Sequence, residues 1–126
     1  MFTLDKNDAY EYNDVSNMHL AKLKFTYPSV NKNYNFNDKN AFLISYKNKY
    51  GVLPNKYAVR GFDITYDVLL RLASAKNVYK SVDSDYVTEY IENKFRYTKK
   101  FLSGYQNQAV YIVRLDDDLQ FQEVKN

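Results

Sequence analysis

The sequence predicts an α/β domain: about three helices followed by a small mixed sheet whose closing strands run antiparallel. Three observations predict it. Apolar residues recur at helical spacing through the middle of the chain, and near Arg96 the period changes to that of strands. Asp116-Asp117-Asp118 then separates the apolar run Ala109 to Val113 from a final strand carrying Leu119, Phe121 and Val124, and the two suit the arms of a hairpin.

Taken in order, residues up to about Asn17 are polar and without period, as in a loop with a short helical turn. Ala21, Leu23, Phe25 and Tyr27 alternate with Lys22, Lys24 and Thr26, the pattern of a half-buried strand that Pro28 ends. Turn-forming residues follow, and Asn35 or Asn37 is placed to cap a helix over about 38–50 that groups Phe42, Leu43, Tyr46 and Tyr50 on one face. Gly51 closes that helix by taking the left-handed conformation, and Pro54 prevents its continuation.

A second helix over about 57–75 is expected to be the most buried element. Phe62, Tyr66, Leu69, Leu70 and Ala73 form one apolar stripe and Ile64, Val68 and Leu72 another. Arg60, Asp63, Asp67 and Arg71 are left as a narrow solvated edge, with Asp67 and Arg71 an i,i+4 pair. Asp83, Ser84 or Asp85 would cap a third helix to about Phe95, turning Val87, Ile91 and Phe95 inward. Beyond Arg96, Tyr97 to Phe101 suggests a short strand, Ser103-Gly104-Tyr105 a turn, and the last two apolar stretches the closing hairpin.

Composition fits a folded chain, with 45% hydrophobic and 26% charged residues. No apolar run approaches the ~18 residues of a membrane helix, so membrane insertion is not expected. The net charge of +3 is dispersed, and the aromatics occupy apolar helical or strand positions rather than alternating with a basic stripe. Nucleic acid is therefore not an expected partner.

Catalytic chemistry has little to work with. His19 is the single histidine and cysteine is absent, which excludes His–Cys and multi-histidine metal sets within this sequence. The three aspartates at 116–118 point in different directions if they form a short turn, unlike a calcium loop. No glycine-rich phosphate loop or nucleophile elbow occurs, and neither a catalytic residue, a cofactor nor a metal is expected.

The wording of Tyr50-Gly51-Val52-Leu53-Pro54-Asn55-Lys56-Tyr57-Ala58-Val59-Arg60-Gly61-Phe62-Asp63 resembles type 1 periplasmic binding proteins, the leucine-binding, receptor-ligand-region family. Leu20 to Pro28 is similar to that family's late strand running into an interlobe crossing. Gly104 to Leu115 is similar to the closing strand of Bacteroidetes-type members. The resemblance implies that residues 1–126 are the C-terminal portion of a two-lobed fold, a fragment of a longer protein, because each lobe of such a fold needs several βαβ units.

The function implied is non-catalytic binding of an amino acid or similar small polar metabolite in the periplasm or cell envelope, by hinge closure of two lobes. The resemblance points to Tyr57, Arg60 and Asp63 for ligand or cleft-edge contact, and to Tyr27 and Pro28 for a hinge crossing. Phe62 stands where the family often has tyrosine. For Arg60 and Asp63 a local i,i+3 ion pair is the competing reading. A second implied function is a structural module associated with peptidoglycan, since domains of this wording are also similar to those attached to LysM modules. Peptidoglycan or a transporter permease would then be a partner of the missing part.

Overall fold

The computed structural model describes residues 1–10, 15–36, 39–82 and 86–125. In chain order the elements are a 3-10 turn (Asp8–Tyr10), α1 (Asn17–Lys22), β1 (Thr26–Ser29), α2 (Ala41–Tyr50), α3 (Lys56–Ser74), α4 (Val78–Val82), β2 (Thr88–Glu89), β3 (Lys94–Phe95), β4 (Tyr97–Lys99), β5 (Tyr105–Asn107), β6 (Tyr111–Leu115) and β7 (Phe121–Glu123). The class is mixed α and β, with helices and small antiparallel sheets. The chain divides into two compact units, Met1–Asn33 with Val110–Asn126, and Tyr34–Ala109.

The first unit is a three-stranded antiparallel sheet in the order β1-β6-β7. Thr26 pairs with Arg114 and Ser29 with Tyr111, while Leu115 pairs with Phe121 across the closing hairpin. The Asp116 to Asp118 turn is where the sequence places it. Asp116 Oδ1 accepts from the Gln120 N–H at 2.7 Å, and Leu119 takes φ +60°. Pro28 lies inside β1 opposite Ile112 rather than after the strand. Among the described residues β1 is flanked on its other side only by a parallel bridge at Phe2, and such an outer position tolerates a residue without an N–H.

The alternating segment from Ala21 to Tyr27 is not one strand. Its first part belongs to α1, which ends in a Schellman turn: the Phe25 N–H reaches the Leu20 carbonyl at 2.9 Å and the Lys24 N–H that of Ala21 at 2.8 Å. Lys24 occupies the left-handed position at φ +49° that glycine would take without strain. The turn drops Phe25 onto Leu20, and with Ala21 and Leu115 they form a core that Tyr10, Tyr27 and Phe121 close. Full burial of a side chain such as Phe25 contributes about 1.5–3 kcal/mol.

The second unit contains α2, α3, α4 and two short hairpins, β2–β3 and β4–β5. α2 begins at Asn40, whose Oδ1 accepts from the Phe42 N–H at 2.9 Å. Of the two expected caps, Asn35 lies upstream of the helix and Asn37 outside the described residues. Gly51 ends α2 at φ +72°, as its position after the aromatic run predicts, and Asn55 caps α3 through the Ala58 N–H at 2.9 Å. The expected third helix to Phe95 is not present. Its proposed caps, Asp83, Ser84 and Asp85, lie outside the described residues, and Thr88 to Phe95 form a hairpin instead. The apolar core joins Leu43, Val59 and Ile91, with Tyr34, Phe42 and Phe62 against them.

Candidate functional site

α3 determines the chemistry of the second unit, because it is turned opposite to the expectation. Its buried residues are Val59, Asp63, Asp67 and Arg71, each one turn from the last. The edge expected to be solvated is thus the inward one. Ile64, Tyr66, Leu69, Leu70 and Leu72, expected in the core, are each more than 40% exposed. Apart from Lys56 at its first position and the half-buried Arg60, the outward surface of this 19-residue helix carries no charge.

Buried carboxylates are stable only where their lone pairs are filled. Asp63, with no exposed surface, accepts from three successive backbone N–H groups of the β2–β3 turn. Oδ2 takes those of Glu92 at 2.8 Å and Asn93 at 3.0 Å, and Oδ1 that of Ile91 at 3.3 Å. Such a concave run of amides is an anion-binding nest, here occupied by the protein's own side chain. Arg60 clamps the same turn from outside, its Nη2 donating to Glu92 Oε1 at 2.6 Å. Arg60 thus has a partner 32 residues away, and Asp63 is buried rather than on a solvated edge. The nearby Tyr34 hydroxyl has its pKa raised by burial and then by the charges of Glu92 and Asp63.

One turn further on, Asp67 Oδ2 accepts from Arg71 Nε at 2.7 Å. Its Oδ1 accepts from the Thr88 hydroxyl at 2.6 Å and the Tyr90 hydroxyl at 3.0 Å. The Arg71 guanidinium donates from Nη2 to Thr88 Oγ1 at 3.1 Å and lies 4.9 and 4.8 Å from the ring centres of Tyr86 and Tyr97. Burial lowers the Arg71 pKa, but the Asp67 hydrogen bond and charge outweigh it, so the cation is held more firmly than usual. Burial, followed by the bond to Asp67, pushes the Tyr90 hydroxyl up to about 12. Burial and the Asp67 charge raise Tyr97 in the same direction.

This arrangement fastens a hairpin to a helix. Asp63 and Asp67 each accept three hydrogen bonds and have no exposed surface, and Arg71 is 2% exposed. Of the three residues indicated for ligand contact, Tyr57 is 68% exposed in the first turn of α3, Arg60 is at the rim, and Asp63 lies beneath them. An open groove of about 650 Å³ lies between α2, α3 and the β2–β3 hairpin, walled by Phe42, Phe62, Tyr66 and Tyr90. None of the three residues lines it. Tyr27 and Pro28 stand in β1 of the first unit, while the chain passes between units after Asn33 and after Ala109. Among the described residues no three acidic or histidine side chains are grouped to hold a metal.

Sequence reasoning missed Thr88, Tyr90 and Glu92 as partners of α3. The available signal was the register: Val59, Asp63, Asp67 and Arg71 repeat every fourth residue, so burying Val59 draws three charged residues inward with it. No protein-family model, curated protein or solved structure matches this chain.

Proposed function

We propose that this chain is the late portion of a two-lobed, non-catalytic binding protein of the type 1 periplasmic class, holding an amino acid or similar small polar metabolite in the periplasm or cell envelope. The observation that carries the reading is the outward face of α3. A helix that hides its charges on one side and presents Ile64, Leu69 and Leu72 on the other is suited to burial on both sides. In a doubly wound lobe a helix lies against a broad parallel sheet. The described residues supply only short antiparallel sheets, so the sheet that covers α3 would come from the rest of the polypeptide. The two passages between compact units, with the first unit assembled from both ends of the chain, accord with segments that cross between lobes.

Tyr57 and Arg60 are the residues of this chain that would meet the ligand. They stand at a helix N-terminus, where the macrodipole favours an anion, and Arg60 supplies a cation suited to a carboxylate. Asp63 acts by positioning, since its bonds hold the turn that carries the Arg60 partner Glu92. Calorimetry of the longer protein against amino acids and muropeptides tests the reading. Saturable micromolar binding of an amino acid, weakened by Arg60→Ala, is expected; a site bounded on one wall only encloses too little ligand, so the 126-residue chain alone binds much more weakly. Binding of muropeptides alone would transfer the protein to the peptidoglycan-associated class. Amino-acid binding indifferent to Arg60→Ala would place the site elsewhere.

A further inference from the structure

The β4–β5 hairpin of the second unit ends in a loop whose backbone is closed by the Lys100 N–H on the Gly104 carbonyl at 3.2 Å and the Ser103 N–H on the Lys100 carbonyl at 3.3 Å. At its tip Phe101 is 98% exposed and Leu102 94% exposed, more than any other large apolar side chain of the described residues. Isolated exposed apolar residues are ordinary, but two adjacent ones at a turn, where polar residues are the rule, need a cause. The charge around them supplies a second observation. Between Asn93 and Gln108 the sequence holds Lys94, Arg96, Lys99 and Lys100 and no acid. Lys99 and Lys100 are themselves exposed immediately beside the tip, and the Tyr105 ring, at the start of β5, lies 6.1 Å from that of the exposed Tyr79.

We infer that this hairpin docks on an anionic lipid surface, with Phe101 and Leu102 inserted below the headgroups and Lys99 and Lys100 against their phosphates. A bilayer with anionic headgroups is the partner that offers an apolar interior directly beneath a negatively charged plane, in the order in which the hairpin presents its residues. Tyr79 and Tyr105, whose rings lie 6.1 Å apart, are of the residue type enriched at membrane interfaces. Neither two apolar side chains nor two lysines suffice alone, but weak anchors of the two kinds reinforce one another. The mode is shallow docking by a turn. No helix of the described residues is long and apolar enough to cross a membrane.

The chain contains no tryptophan, so Phe101→Trp creates a single reporter at the tip. On mixing with vesicles of equal parts phosphatidylglycerol and phosphatidylcholine, its emission is expected to shift to the blue and to be quenched by brominated acyl chains. Pure phosphatidylcholine is expected to produce little change. In co-sedimentation with the mixed vesicles, the double substitution Phe101→Ser and Leu102→Ser is expected to weaken binding by roughly ten-fold or more. Lys99→Gln and Lys100→Gln are each expected to cost roughly five-fold, with the loss reproduced in the parent by added salt. Because all four side chains face solvent, unchanged circular dichroism would show that the variants fold. Binding that survives the double serine substitution would reveal adhesion by general charge alone and overturn the inference. Absence of binding to the anionic vesicles would also overturn it, leaving a protein groove as the partner of the tip.

Discussion

In the first unit Phe25 is buried completely among Leu20, Ala21 and Leu115, while the second unit buries Asp63, Asp67 and Arg71 to the same degree beside Val59. The two interiors obey different rules. Apolar side chains stabilise by leaving water, whatever the protonation state of their neighbours. Buried charges stabilise only as a completed set, and their return is specificity: Asp63 fits one turn with three amides in a row, and Asp67 fits one triad of Arg71, Thr88 and Tyr90. Beside its apolar core of Leu43, Val59 and Ile91, the second unit thereby gains a fixed register between α3 and its hairpin. Its apolar side remains outward.

The largest expected effect breaks that comparison at Asp67. Asp67→Ala leaves the Arg71 guanidinium buried without its carboxylate and should cost about 3–5 kcal/mol in denaturant unfolding monitored within the second unit. Asp67→Leu together with Arg71→Met should recover most of the loss, because an apolar pair needs no partner charges. In the first unit Leu20→Ala should cost about 2–5 kcal/mol, from lost burial and an unfilled cavity, with no pH dependence of that loss between neutral and moderately alkaline conditions. Rescue failing at 67 and 71 would mean that the network itself stabilises the unit.

A smaller difference separates the units in alkali. The Tyr90 hydroxyl has a folded pKa raised to about 12 from the ordinary 10.0, so its protonated form is the one that the fold favours. The associated stability is fully present below pH 10 and is lost as pH rises through about 12. The second unit should therefore weaken across that window, and Tyr90→Phe should flatten the slope while removing about 1 kcal/mol at neutral pH with the bond to Asp67. Phenolate absorbance against pH, with and without Tyr90, checks the midpoint. The smallest effect concerns Lys24. At φ +49° a glycine relieves the strain of the Schellman turn, so Lys24→Gly should raise the melting temperature of the first unit by up to a few degrees, about 0.5–1 kcal/mol.

Much of the local punctuation was legible in the sequence. Gly51 ends α2, Pro54 precedes α3, and the three aspartates turn β6 into β7 because each depends on backbone preferences that act within a few residues. The failures arose where distant contacts overrode a local period. Val87, Ile91 and Phe95 are spaced like a helix face, but Thr88 and Phe95 pair across a turn whose amides are claimed by Asp63. Ala21 to Tyr27 alternates in sequence like a strand, but a Schellman turn joins the end of α1 to β1, burying Ala21 and Phe25 and leaving Leu23 exposed. On α3 the apolar stripes are plain, but the assumption that they face this chain's own core reversed the helix. Tyr57 and Arg60 lie near the start of α3, where the sequence places the opening of that helix. Glu92, Thr88 and Tyr90 were not legible as its partners, since nothing local links them to side chains 17 to 32 residues earlier.

The proposed lobe would cover the outward face of α3 with a sheet from the rest of a longer polypeptide, and the absence of cysteine makes this directly measurable. Single thiols are placed by Leu69→Cys and Leu72→Cys on the outward face, with Val59→Cys as the inward reference, and their reaction with a soluble maleimide is timed. In the 126-residue chain the two outward thiols should react rapidly and the inward one slowly. In the longer protein all three should be slow. Equal and rapid labelling of Leu69→Cys and Leu72→Cys in both proteins would show the face to be bare in its full setting and would contradict the lobe assignment.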